Sequence, residues 1–296
     1  MNSSEPPNVS LSDEIVSDVI NAYSDEIISI YGIGSYFDDT LPSDWIKNDL
    51  DLVVIVNSLD NIIKPDWTEV RYEKKQIRDH EVWLGFNTLE GFQNKELFEK
   101  QSFSNYKWSL LDLKYTKNSK LLYGQDVREQ LPEPSKLEFD YDDILARGLY
   151  HLDRSLKHAL PPANMENSMK EYTKGVFKFG FYLCIYFDER FHSTSLRDIA
   201  VKLEELSTNR ETKGEFLGAM KDAILFRRGR KFVSDFSRLR NDFIVQIISL
   251  LGKGRLHRKM NFKELLHFLE SKFGGLSNLI QFAYEVRKKY YEKKGK

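Results

Sequence analysis

The sequence predicts an α+β fold in two parts. Residues 1–135 are expected to form a domain with a mixed β-sheet and flanking helices, and residues 136–296 an all-α helical bundle. Strand-like alternation dominates the first part, and helical periodicity dominates the second. Pro132 and Pro134 interrupt both patterns where the two parts meet. A length of 296 residues also exceeds the usual size of one domain.

The elements of the first part follow from local signals. Ser10 and Asp13 form a capping-box-like start for an amphipathic helix. The apolar run IISIYGI predicts a strand that ends before Gly34, and IKNDLDLVVIV predicts a second strand. Residues 67–73 and 80–87 alternate as further strands do, and GFQNKELFEK has a helical period. The run KWSLLDLKYT, residues 107–116, is predicted to be a strand.

Helical signals fill the second part almost completely. Apolar residues recur there with a period near 3.6, and Pro161-Pro162 end the first helix. The predicted helices cover residues 141–160, 165–190, 195–206, 213–226, 231–251, 262–273 and 276–291.

Two carboxylates on alternate positions of an apolar strand are the main functional signal. Successive side chains of a strand point to opposite faces, so Asp49 and Asp51 are expected to share one face and Leu50 the other. Mg²⁺ typically takes one or two protein carboxylates and completes its shell with water and phosphate oxygens. This pair is therefore interpreted as a metal platform for phosphoryl chemistry, with Mn²⁺ as an alternative ion.

A Gly34-Ser35 pair after the first strand supplies a second half of such a site. Gly34 lets a phosphate approach the backbone, and Ser35 offers an N–H and a hydroxyl. Gly-Ser followed by Asp49-Leu50-Asp51 on a strand resembles the DNA polymerase β-type nucleotidyltransferase superfamily. The loop between them is long and acidic here, and its Asp38, Asp39 and Asp44 are interpreted as solvated loop groups.

The resemblance implies a reaction and a set of roles. Asp49 and Asp51 would hold Mg²⁺ ions that bridge the triphosphate of a nucleotide, with ATP as the expected substrate, and a third carboxylate would come from a later strand. We predict Asp112 for that role, because an acid within an apolar strand is costly unless it is paired or binds metal; an ion pair with Lys114 is the alternative.

Further basic and acidic residues are implied by the same resemblance. The aminoglycoside nucleotidyltransferases use a basic residue of the second domain, together with a nearby acid as base. Here Lys174 would contact the triphosphate, with Glu171 or Glu166 as the base. A solvated helix face is the alternative interpretation of Lys174.

Charge is distributed unevenly along the chain. Residues 1–142 hold 14 Lys and Arg against 27 Asp and Glu, whereas the remainder holds 30 against 18. A basic second half suits phosphates, although the same charges could attract the acidic half. The basic run FRRGRK at residues 226–231 lacks interleaved aromatic residues, so a small-molecule or protein acceptor is favoured over RNA.

Other classes of protein are excluded or disfavoured. The amino terminus lacks a signal-peptide pattern and no apolar run is long enough to span a bilayer, so a cytoplasmic protein is expected. Cys184 is the single cysteine, which excludes an internal disulfide. No Arg-x4–6-His motif follows Arg238 or Arg240, so the ribonuclease activity of HEPN domains is not predicted. The alternative from another class is a non-catalytic nucleotide-binding or regulatory module of the same fold.

Overall fold

The computed structural model describes residues 10–47, 49–60, 62, 72–77, 80–102, 104–114, 117, 119–207, 214–229, 235–252, 278–279 and 281–282. Over these residues the chain is an α+β protein whose strands all precede a series of long helices. The elements are α1 (Leu11–Tyr23), β1 (Ile27–Ile33), β2 (Asp49–Val56), β3 (Tyr72–Ile77), β4 (His80–Thr88), α2 (Leu89–Gln93), α3 (Lys95–Gln101), α4 (Tyr106–Lys114), β5 (Lys120–Gly124), α5 (Tyr141–His158), α6 (Met165–Phe187), α7 (Leu196–Ser207), α8 (Gly214–Arg227) and α9 (Phe236–Gly252).

The chain divides into two compact units. The sheet unit comprises residues 1–42, 47–139 and 192–195, and the helical unit comprises residues 43–46, 140–191 and 196–296. This division differs from the single cut predicted after residue 135. The main boundary lies after residue 139. Segment 43–46 belongs to the helical unit although its neighbours in sequence belong to the sheet unit, and segment 192–195 belongs to the sheet unit although its neighbours belong to the helical unit.

The sheet unit is built on five strands in the order β3-β4-β2-β1-β5. The central pair β2 and β4 is parallel, and the other three pairs are antiparallel, so the sheet is mixed as predicted. Buried and half-buried residues alternate along the first part of β2. The buried residues lie on the face that packs against α1, and the half-buried residues on the other face begin with the two acids.

Both faces of the sheet carry apolar clusters. On one face, α1 packs its buried Ile15 and Val19 against Ile30, Leu52 and other residues of the central strands. Helix α1 begins at the predicted cap, where the Asp13 N–H donates to the Ser10 hydroxyl over 3.2 Å. On the other face, α2, α3 and α4 cover Tyr31 and Ile55. Asp49 and Asp51 precede Val53 and Ile55 on this second face.

The prediction of a strand over residues 107–116 is wrong, because this segment contains helix α4. Asn105 starts the helix: its side-chain oxygen accepts the Trp108 N–H over 2.9 Å. Tyr106, Leu110 and Leu113 then follow at helical spacing and are all buried in one cluster. The three leucines at positions 110, 111 and 113 did not distinguish a buried helix from a buried strand, and the capping asparagine favours the helix.

The helical unit follows the predicted pattern closely. Helices α5 to α8 begin and end within three residues of the predicted bounds, and α9 ends at Gly252 beside its predicted end; the predicted start of α9 at residue 231 lies outside the described residues. Helices α5 and α6 pack along their length, and α6 also packs against α7 and α8. The predicted helix 262–273 lies outside the described residues; of the predicted helix 276–291, residues 278–279 and 281–282 are described and are helical.

None of the helices in the described ranges has the length and apolar character needed to cross a bilayer.

Candidate functional site

Asp49 and Asp51 begin strand β2 and share one of its faces. Both side chains are half-buried, whereas Leu50 and Leu52 between and after them are fully buried on the opposite face. In the antiparallel pair with β1, Asp51 lies opposite Ile33, the last residue of that strand. The two carboxylates therefore lie at the end of the sheet where β1 gives way to the Gly34 turn.

Gly34 is directly apposed to the second of these acids. Its φ of +79° belongs to the left-handed region, which favours glycine. A Cβ added at this position would lie 3.2 Å from Asp51 Oδ2. The Phe37 N–H donates to the Gly34 carbonyl over 3.2 Å and closes a tight turn around Ser35. The turn predicted to hold phosphates and the Asp51 carboxylate are thus neighbours, with room between them only because residue 34 has no side chain.

One acid of the following loop, Asp38, differs from its prediction as a solvated group. Asp38 is only 2% exposed, and its Oδ1 accepts the Thr40 N–H over 2.9 Å and the Thr40 hydroxyl over 2.6 Å. Asp44 forms an ion pair with Arg228 at 2.8 Å within the helical unit. Asp39 remains exposed and pairs with Lys120 at 2.8 Å. Asp38 has a structural role in this loop, whereas Asp39 and Asp44 are exposed, as predicted, although each pairs with one cation.

Glu81 lies in register with the predicted metal platform, on the strand next to that of Asp49. Strands β2 and β4 are parallel, and their register places Glu81 opposite Asp49 and Trp83 opposite Asp51. Residues opposite one another on neighbouring strands share a face. The Trp83 indole N–H donates to Glu81 Oε2 over 3.4 Å. An alternation of Glu81, Trp83 and Gly85 was visible in the sequence, but the parallel pairing was not.

Asp112 lies on helix α4 and not on a strand. Its Oδ1 accepts a short hydrogen bond from the hydroxyl of Thr194, in the segment 192–195 of the sheet unit. The alternative pairing with Lys114 is not formed, because Lys114 contacts Glu133 at 2.6 Å instead. The role of Asp112 as a third metal ligand stays a prediction.

Lys174 lies on α6 in the helical unit, on the same helix face as Glu171 and Lys178. Glu171 is bonded to His151 of α5, with 2.8 Å between Oε2 and Nδ1. Glu166, the other acid considered as a base, pairs instead with Lys170 at 3.0 Å. A histidine 20 residues from its partner carries no local motif in the sequence that identifies the pair.

Within the described ranges, no three acidic, histidine or cysteine side chains are grouped closely enough to hold a metal ion. The site therefore presents two strand carboxylates beside a glycine turn. This matches the usual Mg²⁺ arrangement in which one or two carboxylates and substrate phosphates share the ion.

Comparisons with known proteins add little to this geometry. No protein-family model and no curated protein matches the chain. Among solved structures, a nucleotidyltransferase-like protein from Exiguobacterium sibiricum matches over 95% of this chain and 92% of its own, with 11% identity and a TM-score of 0.22. Overlap at this TM-score establishes neither fold nor function, so the functional inference rests on the residues of the site.

Proposed function

We propose that the protein is a cytoplasmic, Mg²⁺-dependent nucleotidyltransferase that moves a nucleoside monophosphate from a nucleoside triphosphate, ATP in the first instance, to an acceptor hydroxyl. The observation that carries the proposal is the apposition of Gly34 and Asp51, with 3.2 Å between the missing Cβ and Oδ2. Two separate signals in the sequence, a Gly-Ser turn and paired acids, meet at one point of the sheet.

The residues present suit magnesium. Asp49 and Asp51 supply hard carboxylate oxygens on one face, and the space that a Cβ would fill at Gly34 leaves the backbone open to a phosphate. Asp49 and Asp51 would hold the ion or ions, and Mn²⁺ would fit the same oxygen ligands. When bound, the metal neutralises charge on the triphosphate and on the leaving pyrophosphate.

The protein groups have distinct tasks in this proposal. The Gly34 turn admits the triphosphate, and Ser35 donates hydrogen bonds to its oxygens. In the helical unit, Lys174 contributes a positive charge for phosphate. The step forms a bond between the acceptor oxygen and the α-phosphorus and breaks the bond to the β-phosphate: pyrophosphate leaves, and a third carboxylate takes the proton of the acceptor hydroxyl.

Two acids are candidates for the third carboxylate. Glu81 shares the face and the register of Asp49, whereas Asp112 comes from α4 and is bonded to Thr194. We favour Glu81 for this reason. Comparison of Glu81→Gln with Asp112→Asn under the assay described next distinguishes the two, because the larger loss of turnover identifies the third acid.

The test is nucleotide turnover in the full chain, measured as pyrophosphate released from each nucleoside triphosphate with Mg²⁺ or Mn²⁺. Asp49→Asn and Asp51→Asn are each expected to lower turnover at least about a hundredfold, because even residues that merely support metal ligands affect activity by 10–100-fold. Asp60→Asn, an exposed acid just beyond the end of β2, is the matched control.

The same variants carry a second readout. Without metal, Asp49→Asn and Asp51→Asn are expected to unfold at the wild-type temperature or above, since adjacent like charges repel. A folded Asp51→Asn protein with wild-type turnover would contradict the assignment of the metal platform.

A non-catalytic nucleotide-binding module is the second candidate. It is favoured by the lack of a three-acid group among the described residues. This module would bind ATP with Mg²⁺ in calorimetry through Asp49 and Asp51 and release no pyrophosphate.

A further inference from the structure

A buried arginine of α9 lies among neutral partners in the helical unit. Arg240 is only 6% exposed. Its Nε and Nη2 donate to Asn241 Oδ1 over 3.2 and 3.0 Å, and its Nη1 donates to the Ser168 hydroxyl of α6 over 3.2 Å. The guanidinium carbon lies 5.7 Å from the centroid of the Phe236 ring. These contacts hold the side chain in one orientation, but none of the partners carries a negative charge.

The charge of Arg240 has no counterion in the part of the chain that the structure describes, since no described carboxylate lies within ion-pair distance of it. Two acids close to it in sequence have other partners. Asp235 accepts the N–H groups of residues 237 and 238 at the start of α9, and Asp242 lies 3.7 Å from Arg238. Burial lowers the pKa of Arg240, yet a guanidinium stays protonated in proteins. A buried charge of this kind is costly unless an anion accompanies it.

The polar groups left over around this charge are N–H donors. Each terminal nitrogen of Arg240 carries two N–H groups and makes one of the bonds given above. Because a guanidinium only donates, the Asn241 atom that faces it is the amide oxygen, and no described residue accepts from the Asn241 Nδ2 group. The Ser168 hydroxyl donates to the Ser155 carbonyl over 2.7 Å, so it presents a lone pair to Arg240. A positive charge and several donors thus occur together without a described acceptor.

We propose that Arg240 and Asn241 form a binding site for a small oxyanion, a phosphate or carboxylate group, within the helical unit. The fork of a guanidinium matches both groups, because two N–H donors contact two oxygens. The Asn241 amide adds a donor, and Ser168 fixes the guanidinium in place. Asn241 is only half-buried, so the pair as a whole is not closed to solvent.

This site is independent of the proposed function. It uses none of the residues assigned to magnesium or to the nucleotide, and its ligand binds without metal. Arg240→Gln is therefore expected to leave the release of pyrophosphate unchanged. A protein that transfers no nucleotide and still binds the oxyanion supports the site and rejects only the enzyme.

The test measures thermal unfolding of the full chain at constant ionic strength. Inorganic phosphate, sulfate and acetate each replace chloride at low millimolar concentration, where the general effect of such salts on stability is small. Phosphate or acetate is expected to raise the Tm of the wild type by at least about 3 °C, the order expected for a ligand at many times its Kd. The anion that raises the Tm most identifies the group that the site takes.

Variants separate binding from general stability. Arg240→Gln removes the charge, so its Tm is expected to ignore all three anions. Arg240→Lys keeps the charge without the fork, and its Kd for the preferred anion, measured by calorimetry, is expected to rise at least about tenfold. The matched control is Arg238→Gln, an exposed arginine of the same helix, which should respond as the wild type does. Asn241→Asp places a carboxylate where Arg240 already donates, so its Tm in chloride is expected to rise and phosphate to add little.

Three results overturn the proposal. The first is an equal rise of the Tm in Arg240→Gln and in the wild type, because the anions then act only as salts. The second is a wild type that ignores all three anions, and the third is an Asn241→Asp protein with no gain in chloride. Should Arg240→Gln fail to fold, calorimetry on folded Arg240→Lys decides, since an affinity for phosphate and acetate equal to that of the wild type contradicts the site.

Discussion

At the scale of single residues, the position of the Asp51 carboxylate depends on the backbone of Gly34, which lies beside it. Strand alternation directs it to the same face as Asp49, and the left-handed turn at Gly34 leaves space above it. Backbone conformation and side-chain position are therefore linked at this point, and a substitution at residue 34 tests both together.

Gly34→Ala is expected to lower the free energy of unfolding by about 1–2 kcal/mol, because an L-residue in the left-handed region has a cost of that order. The new methyl group would also displace Asp51, so nucleotide turnover should fall as well. Urea unfolding measures the first effect. The control is Gly218→Ala in α8, where nothing lies within 4 Å of the added Cβ and about 0.5–1 kcal/mol of stabilisation is expected. Wild-type stability of Gly34→Ala would contradict the strained turn.

Asp126 offers a pH-dependent test of another contact in the sheet unit. The Arg128 guanidinium bonds its carboxylate and lowers the pKa of Asp126 to about 2. A carboxyl whose pKa is lower in the folded state stabilises the fold above its ordinary pKa near 4, and this contribution is lost as pH falls toward 2. The urea midpoint of wild type should exceed that of Asp126→Asn at pH 5 and approach it at pH 2.5. A difference that stays constant across this range would contradict the linkage.

At the scale of elements, helix α4 depends on a segment far along the chain. Thr194 lies 82 residues after Asp112 and donates its hydroxyl hydrogen to that carboxylate. Ser195 donates in a similar way to Asp38 over 3.4 Å. Two adjacent hydroxyls of segment 192–195 thus contact an acid of α4 and an acid of the loop after Gly34, all within the sheet unit.

Thr194→Val is expected to lower the free energy of unfolding by about 1.5–3 kcal/mol, the usual contribution of a hydrogen bond to a charged group. A double-mutant cycle with Asp112→Asn, followed by urea unfolding, separates this bond from the other contacts of both residues. Additive effects of the two substitutions would show that the hydroxyl and the carboxylate are not coupled.

At the scale of the whole molecule, the two units differ in charge as well as in architecture. The acidic excess falls in residues 1–142 and the basic excess in the remainder. In the helical unit, part of the basic run at residues 226–231 is already engaged, since Arg228 pairs with Asp44 and the Arg227 carbonyl accepts the Ile46 N–H over 2.6 Å. These contacts favour a structural role for that end of the run over RNA binding.

Binding to labelled tRNA and single-stranded RNA, followed by fluorescence anisotropy, is expected to be weak at physiological salt. A polyanionic acceptor would instead bind tightly at low salt and lose affinity steeply as salt rises, because each neutralised phosphate releases counterions. Tight and salt-sensitive binding would therefore indicate that the acceptor is RNA and would contradict a small-molecule or protein acceptor. Arg228→Gln is an informative variant, because its side chain is paired within the helical unit and its loss should leave RNA binding unchanged.

Much of the secondary structure was predictable from local pattern. The Ser10 cap, the alternation of Asp49, Leu50 and Asp51, and the limits of α5 to α8 all depend on neighbours within a few residues. Such signals are carried by backbone sterics, capping bonds and the period of apolar residues, and they need no knowledge of distant contacts. The pairing of the two acids on one strand face follows from the sequence alone for this reason.

Other features were decided only by the tertiary structure. Segment 106–114 is a helix because three apolar residues at helical spacing are buried in one cluster, and Glu81 lies opposite Asp49 because β4 pairs in parallel with β2. The contact of His151 with Glu171 joins two helices. Register and helix packing are set by burial of surfaces brought together from distant parts of the chain, and a period along one segment carries no information about its partner.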